Sequence, residues 1–117
     1  MGTTAFGREG ESAARVYLEQ KGYRFIECNY KRTHGEIDLI MEDGKTLVFI
    51  EVKSRTNRRY GEPREAVTPF KQQHVRYTAK AFLYSHHQME RAVRFDVVEV
   101  MRLPDGMWKF HHIKHAF

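Results

Sequence analysis

The sequence predicts an α/β (α+β) domain, a mixed central sheet flanked by helices in the order α-β-β-β-α-β-β. Three observations predict it. A helix-period stripe opens the chain. Three strand-like runs follow in succession, with a tight-turn signal between the second and third. A second segment with a helix-start signal then leads into two further strand-like runs. The chain has 117 residues, 41% of them hydrophobic, which suits one domain over 1–117 with a real core rather than a disordered chain.

The first helix is read over GREGESAARVYLEQKGY. Gly10, Ala13, Ala14, Tyr17 and Leu18 recur at the spacing of one buried face, and Lys21-Gly22 is the stop. YRFIECNYK is rich in aromatics and reads as a strand, as do GEIDLIME and KTLVFIEVK, with Asp43-Gly44 as the hairpin signal between the last two. RTNRRYGEPRE, residues 55–65, is polar, basic and broken by Gly61 and Pro63, so it reads as a loop. Thr68 caps the second helix, with Pro69 at its first position. Its inner stripe is read as Phe70, His74, Tyr77, Thr78 and Ala81, and it fades at Ser85-His86-His87. RFDVVEVMR and MWKFHHI close the chain as strands around the Pro104-Asp105-Gly106 turn.

Composition narrows the function classes. No apolar run approaches the roughly 20 residues that span a bilayer, so no membrane partner is expected. The segment MGTTAFGREGES lacks the basic-then-apolar order of a signal peptide. One cysteine, Cys28, forms no internal disulfide, and the expected compartment is the cytoplasm. The net charge of +5 suits a polyanionic partner such as nucleic acid. Seven histidines raise the question of zinc. His111 and His112 point to opposite faces of a strand and no cysteine is near, so they are read as surface or interface residues.

The central hairpin carries the chemistry. With Asp43-Gly44 as a two-residue turn, Glu42 pairs with Lys45, Ile40 with Leu47, Asp38 with Phe49 and Glu36 with Glu51. Glu36, Asp38, Glu51 and Lys53 then share one face. Ile37, Leu39, Met41, Val48, Ile50 and Val52 form the apolar other face. Two carboxylates about 6 Å apart repel by about 3 kcal/mol at an effective dielectric near 20. Lys53 offsets one charge of three. A divalent cation offsets two more, and an all-oxygen ligand set suits Mg²⁺ or Mn²⁺ rather than Zn²⁺. The loop that follows adds Arg55, Arg58, Arg59 and Arg64 for phosphates and Tyr60 for stacking. Asp96 is read as the partner of Arg94 on its own strand face.

G-E-I-D at 35–38 followed by L-V-F-I-E-V-K-S-R at 47–55 resembles the restriction-endonuclease-like nuclease superfamily, whose signature is an acid and then E-x-K. More narrowly, the chain from about residue 6 onward resembles the YraN-like family of small bacterial proteins. The further pieces are G-R-E-G-E-S-A-A-R-V-Y-L at 7–18, G-E-P-R-E-A-V at 61–67, Lys71, R-F-D-V-V at 94–98 and the closing Ala116-Phe117. The resemblance implies a core fold shared with archaeal Holliday-junction resolvases and a metal-dependent nuclease site at Asp38, Glu51 and Lys53. It implies a first-helix acid, matched by Glu11, and places Lys71 or Gln72 toward the site. The backbone carbonyl of Val52 completes the expected ligand set. The implied substrate is DNA, branched or junction DNA included, and a homodimer is expected where two sites must cut one junction. The alternative is a catalytically inactive nucleic-acid-binding module that keeps the fold.

Overall fold

The computed structural model describes residues 4–33, 35–57 and 67–117. Helix α1 spans Ala5–Gln20, and Thr4 caps it by accepting the Gly7 N–H at 3.0 Å. Gly22, at φ 95°, ends it in a backbone conformation that suits glycine. Strands β1 (Arg24–Arg32), β2 (Gly35–Asp43) and β3 (Thr46–Arg55) follow, then α2 (Pro69–Ser85), β4 (Val93–Arg102) and β5 (Trp108–Ile113). Thr68 caps α2 through the Lys71 N–H at 3.3 Å, with Pro69 in the first turn, where its missing N–H costs nothing. The fold class and element order read from the sequence are those observed.

The five strands lie in the order β1-β2-β3-β4-β5. Only β3 and β4 run parallel; the other neighbours are antiparallel. A parallel neighbour needs a crossover, and the segment between β3 and β4 contains α2.

The β2–β3 register differs from the expected one by two residues. Asp43 pairs with Thr46, Glu42 with Leu47 and Ile40 with Phe49. The loop is Gly44-Lys45, because Gly44 carries the positive φ of 62° that the first central position of a two-residue turn favours. A shift of two preserves which face each residue takes, so the expected parity survives.

Each face of the sheet carries a core. On one, Ala14 and Leu18 of α1 pack with Leu39, Met41, Val48, Ile50, Val52, Val98 and Val100. On the other, Val75, Ala79, Phe82 and Leu83 of α2 pack with Ile40, Leu47, Phe49 and Phe95. Burying a side chain the size of Phe49 contributes about 2 to 3 kcal/mol. The side expected to be half-buried is therefore a second core. Ile37 departs from the expectation and joins Tyr30 in the α2 core, while Leu39 stays with α1. The alternation breaks beside Asn29, whose φ of 50° falls between the register pairs Cys28–Leu39 and Tyr30–Ile37.

The inner face of α2 also differs from the expected stripe. Val75, Thr78, Ala79, Phe82 and Leu83 are buried, whereas Phe70 and Tyr77 are 70% and 56% exposed. The helix comes so close to β2 that Thr78 Oγ1 and the His74 carbonyl occupy the space beside Gly35 where a Cβ would stand. Thr78 of the expected stripe is buried as read, while Phe82 rather than Phe70 or Tyr77 supplies the buried ring.

Arg94 donates to Asp96 with Nε and Nη2, to Asp43 and to the Tyr23 hydroxyl. This bears out the Arg94–Asp96 pairing. Asp96 is also bonded to His112 Nε2 at 2.7 Å and accepts the His115 N–H. The His112 side chain is 4% exposed, so it is an interior tie between β4 and β5 rather than a surface residue. Burial raises the Asp96 carboxyl, but its bonds to His112 and Arg94 outweigh that and hold it below the ordinary range.

Candidate active site

β2 and β3 pair from Asp43–Thr46 to Leu39–Ile50. Past that point β2 stays with β1, through Ile37–Tyr30, Glu36–Lys31 and Gly35–Arg32. β3 stays with β4, from Glu51–Val97 to Arg55–Met101. Asp38 and Glu51 stand where the two strands part. Continued by one step, the register would set them opposite each other, where the expected register made them diagonal.

Their side chains take over from the backbone ladder. Asp38 Oδ2 accepts the Val52 N–H at 2.8 Å, and Glu51 Oε2 accepts the Asp38 N–H at 3.5 Å. Burial pushes Asp38 up to about 6, with Glu11 and Glu36 adding to the rise and the Val52 N–H and Lys53 opposing it. Burial, then the charge of Asp38, pushes Glu51 up to about 8, against the pull of Lys53 and the Asp38 N–H. Paired carboxylates driven apart in pKa by burial and like charge mark a site built for a ligand or for proton transfer.

Glu11 reaches this pair from α1. Gly10 is buried, and a Cβ there would meet Ser54 Oγ of β3 and Val100 of β4, so α1 lies against those strands at that point. The next residue, Glu11, is half-buried, and its Oε1 accepts Asn29 Nδ2 at 3.0 Å. Burial foremost, and then Glu36, raises its pKa, while the Asn29 bond opposes. Glu11, Glu36, Asp38 and Glu51 thus act on one another electrostatically, as the sequence layout implied for three of them.

Among the described residues, no group of three or more His, Cys, Asp or Glu is arranged to hold a metal ion. Asp38 and Glu51 bring two carboxylates to the point where the strands part. Mg²⁺ usually keeps several waters and takes one or two carboxylates plus substrate phosphate rather than a full protein cage. Asp38 and Glu51 are two half-buried oxygen donors whose carboxyls are both raised. What Val52 brings to the pair is its N–H.

The remaining candidates separate. Lys53 is half-buried and lies beside Glu99 across the parallel register. Arg55 ends β3, with Nη1 donating to the Ser54 carbonyl at 3.4 Å. Lys71 sits exposed in the first turn of α2, and Gln72 donates from Nε2 to the Val67 carbonyl at 3.0 Å. Arg58, Arg59, Tyr60 and Arg64 lie outside the described residues. Two side chains here were not singled out from sequence. Asn29, which holds Glu11, gave no local signal. Glu99, 2% exposed beside Lys53, was detectable as an acid inside the apolar run VVEVM.

Fold and site together define a class: a mixed-sheet α/β protein whose central strands diverge around a half-buried carboxylate pair. Residues 10–100 match the sequence profile of the uncharacterised protein family UPF0102, and the chain belongs to that family. A UPF0102 protein of Geobacter metallireducens is 42% identical over 113 residues, covering 97% of this chain and 92% of the relative. One from Symbiobacterium thermophilum is 47% identical over 111 residues, covering 95% and 94%, and one from Anaeromyxobacter dehalogenans is 41% identical over 116 residues, covering 99% and 86%. The family-level resemblance in the sequence is thereby borne out.

Proposed function

We propose that the protein is a Mg²⁺- or Mn²⁺-dependent nuclease that hydrolyses phosphodiester bonds in DNA, with branched or junction DNA among its substrates. The observation that supports this best is that Asp38 and Glu51 each bond the other's strand at the divergence, with Lys53 two residues on. Four mutually repelling acids and one nearby ammonium make a poor structural device and a good cation site.

Asp38 and Glu51 hold the cation, and Glu11, positioned by Asn29, adds its carboxylate directly or through water. When bound, the cation polarises a phosphoryl oxygen and lowers the pKa of its water. Lys53 orients the attacking water and offsets charge gathering on the phosphorus. Arg55 and Lys71 meet the phosphates on either side, and the net charge of +5 draws the polyanion in. A homodimer follows where the substrate is a four-way junction, since two strands must be cut.

The test is incubation with linear, flapped and four-way DNA plus Mg²⁺ or Mn²⁺, beside Asp38→Asn. Cleavage by the wild type that chelator and the substitution both abolish is the expected result. Intact DNA throughout, with binding retained, replaces the nuclease by the inactive binding module.

A further inference from the structure

The aromatic stripe that the fold leaves outside α2 has a consistent geometry. Phe70, His74, Tyr77, Ala81 and Tyr84 recur at intervals of four, three, four and three residues, so they share one face of the helix. Phe70, Tyr77 and Tyr84 are 70%, 56% and 75% exposed. The Phe70 and His74 rings are in contact, with centroids 4.5 Å apart. This face lies opposite the buried residues Val75, Ala79 and Phe82. Three exposed rings in one row on a helix, with His74 and Ala81 half-buried between them, make a binding surface rather than ordinary surface scatter.

Charge indicates what the face takes. From Pro69 to Ser85 the helix carries Lys71, Arg76 and Lys80 and not one acidic residue. A second copy laid on this face brings like charges together, and one helix face offers far less than the roughly 800 Å² per partner of a stable interface. Rings interleaved with cations match a polyanion with exposed bases. Thr78 and the His74 carbonyl of α2 lie against Gly35, at the start of the strand that carries Asp38.

We infer that the outer face of α2 is a stacking track for single-stranded DNA, with bases on Phe70, Tyr77 and Tyr84 and phosphates on Lys71 and Lys80. The inference rests on the reading of nucleic acid as the partner and adds its form: an unpaired strand. Phe70 and Tyr84 are fourteen residues apart, about 21 Å along the helix axis. That is about six stacked nucleotides at about 3.4 Å each, within the window of roughly 4 to 16 that single-strand modules cover.

The experiment uses the full chain carrying Asp38→Asn, so that cleavage does not intervene. Fluorescence anisotropy compares a labelled oligo(dT) of about 12 nucleotides with a blunt duplex of equal length. Phe70→Ala, Tyr77→Ala and Tyr84→Ala are each expected to weaken single-strand binding about tenfold, with duplex binding changed less than about twofold. Lys80→Glu weakens both and flattens the salt dependence. The inference is overturned by a triple ring variant that binds the oligonucleotide as tightly as its parent. It is equally overturned by a parent that shows no binding up to about 100 µM, or by a parent that sediments as a dimer the ring variants dissociate. Ring-dependent binding beside a wild type that never cleaves leaves this inference standing and removes the nuclease. Cleavage with ring-independent binding does the opposite.

Discussion

The carboxylates of Asp38 and Glu51 complete a ladder that the backbone abandons: Asp38 takes the Val52 N–H at 2.8 Å, and Glu51 takes the Asp38 N–H at 3.5 Å. Two acids are held together at a position where their mutual repulsion is not relieved by solvent alone.

Asp38→Asn keeps an acceptor for the Val52 N–H, whereas Asp38→Ala leaves that amide unpaired. Chemical denaturation should therefore find the alanine variant less stable than the asparagine variant by about 1 to 3 kcal/mol. Equal midpoints show that the bond contributes nothing to holding the strands.

Raised carboxyl pKa values set the sign of a pH effect. Below about pH 3 both acids are protonated in folded and unfolded chains, and the folded chain keeps its full advantage. As pH rises through about 6 for Asp38 and about 8 for Glu51, the folded chain must ionise buried groups and that contribution is lost. The melting temperature should fall from pH 5 to pH 8, and an Asp38→Asn, Glu51→Gln double variant should fall less.

Cation binding demands the ionised pair, so the same groups make metal stabilisation pH-dependent. Millimolar Mn²⁺ should raise the melting temperature more at pH 8 than at pH 5.5, chelator should reverse the gain, and Asp38→Asn should abolish it. A gain retained in Asp38→Asn assigns the cation to another site.

Lys53→Ala removes the one ammonium placed beside the pair. Cleavage is expected to fall by about 10² to 10³, the range for losing a charge-stabilising group, while DNA affinity changes by less than about twofold. Parallel losses in affinity and rate recast Lys53 as a phosphate-binding residue only.

Gly10→Ala tests how closely α1 must approach the sheet. Helix propensity favours alanine by about 1 kcal/mol. The added methyl collides with Ser54 Oγ and Val100, so overpacking should dominate and the net loss should be about 1 to 2 kcal/mol. A stabilised variant means that α1 shifts freely and that Glu11 is not held in place by this contact.

The elements were legible because local signals agreed with one another. Thr68-Pro69 opens a helix, Lys21-Gly22 closes one, and the strand runs carry their own period. The carboxylate pair was legible for a narrower reason. Side-chain direction in a strand repeats every two residues, so a register error of two still left Asp38 and Glu51 near enough for each to bond the other's strand. An error of one would have hidden the site.

By itself the sequence determined the order of the elements, the faces of the central hairpin and the acids those strands present, since each follows from short-range periodicity and turn chemistry. Tertiary structure alone decided that Asn29 holds Glu11, that Lys53 stands beside Glu99, and which residues α2 buries. Those outcomes depend on how closely layers pack and where neighbouring strands separate, and no local spacing encodes either.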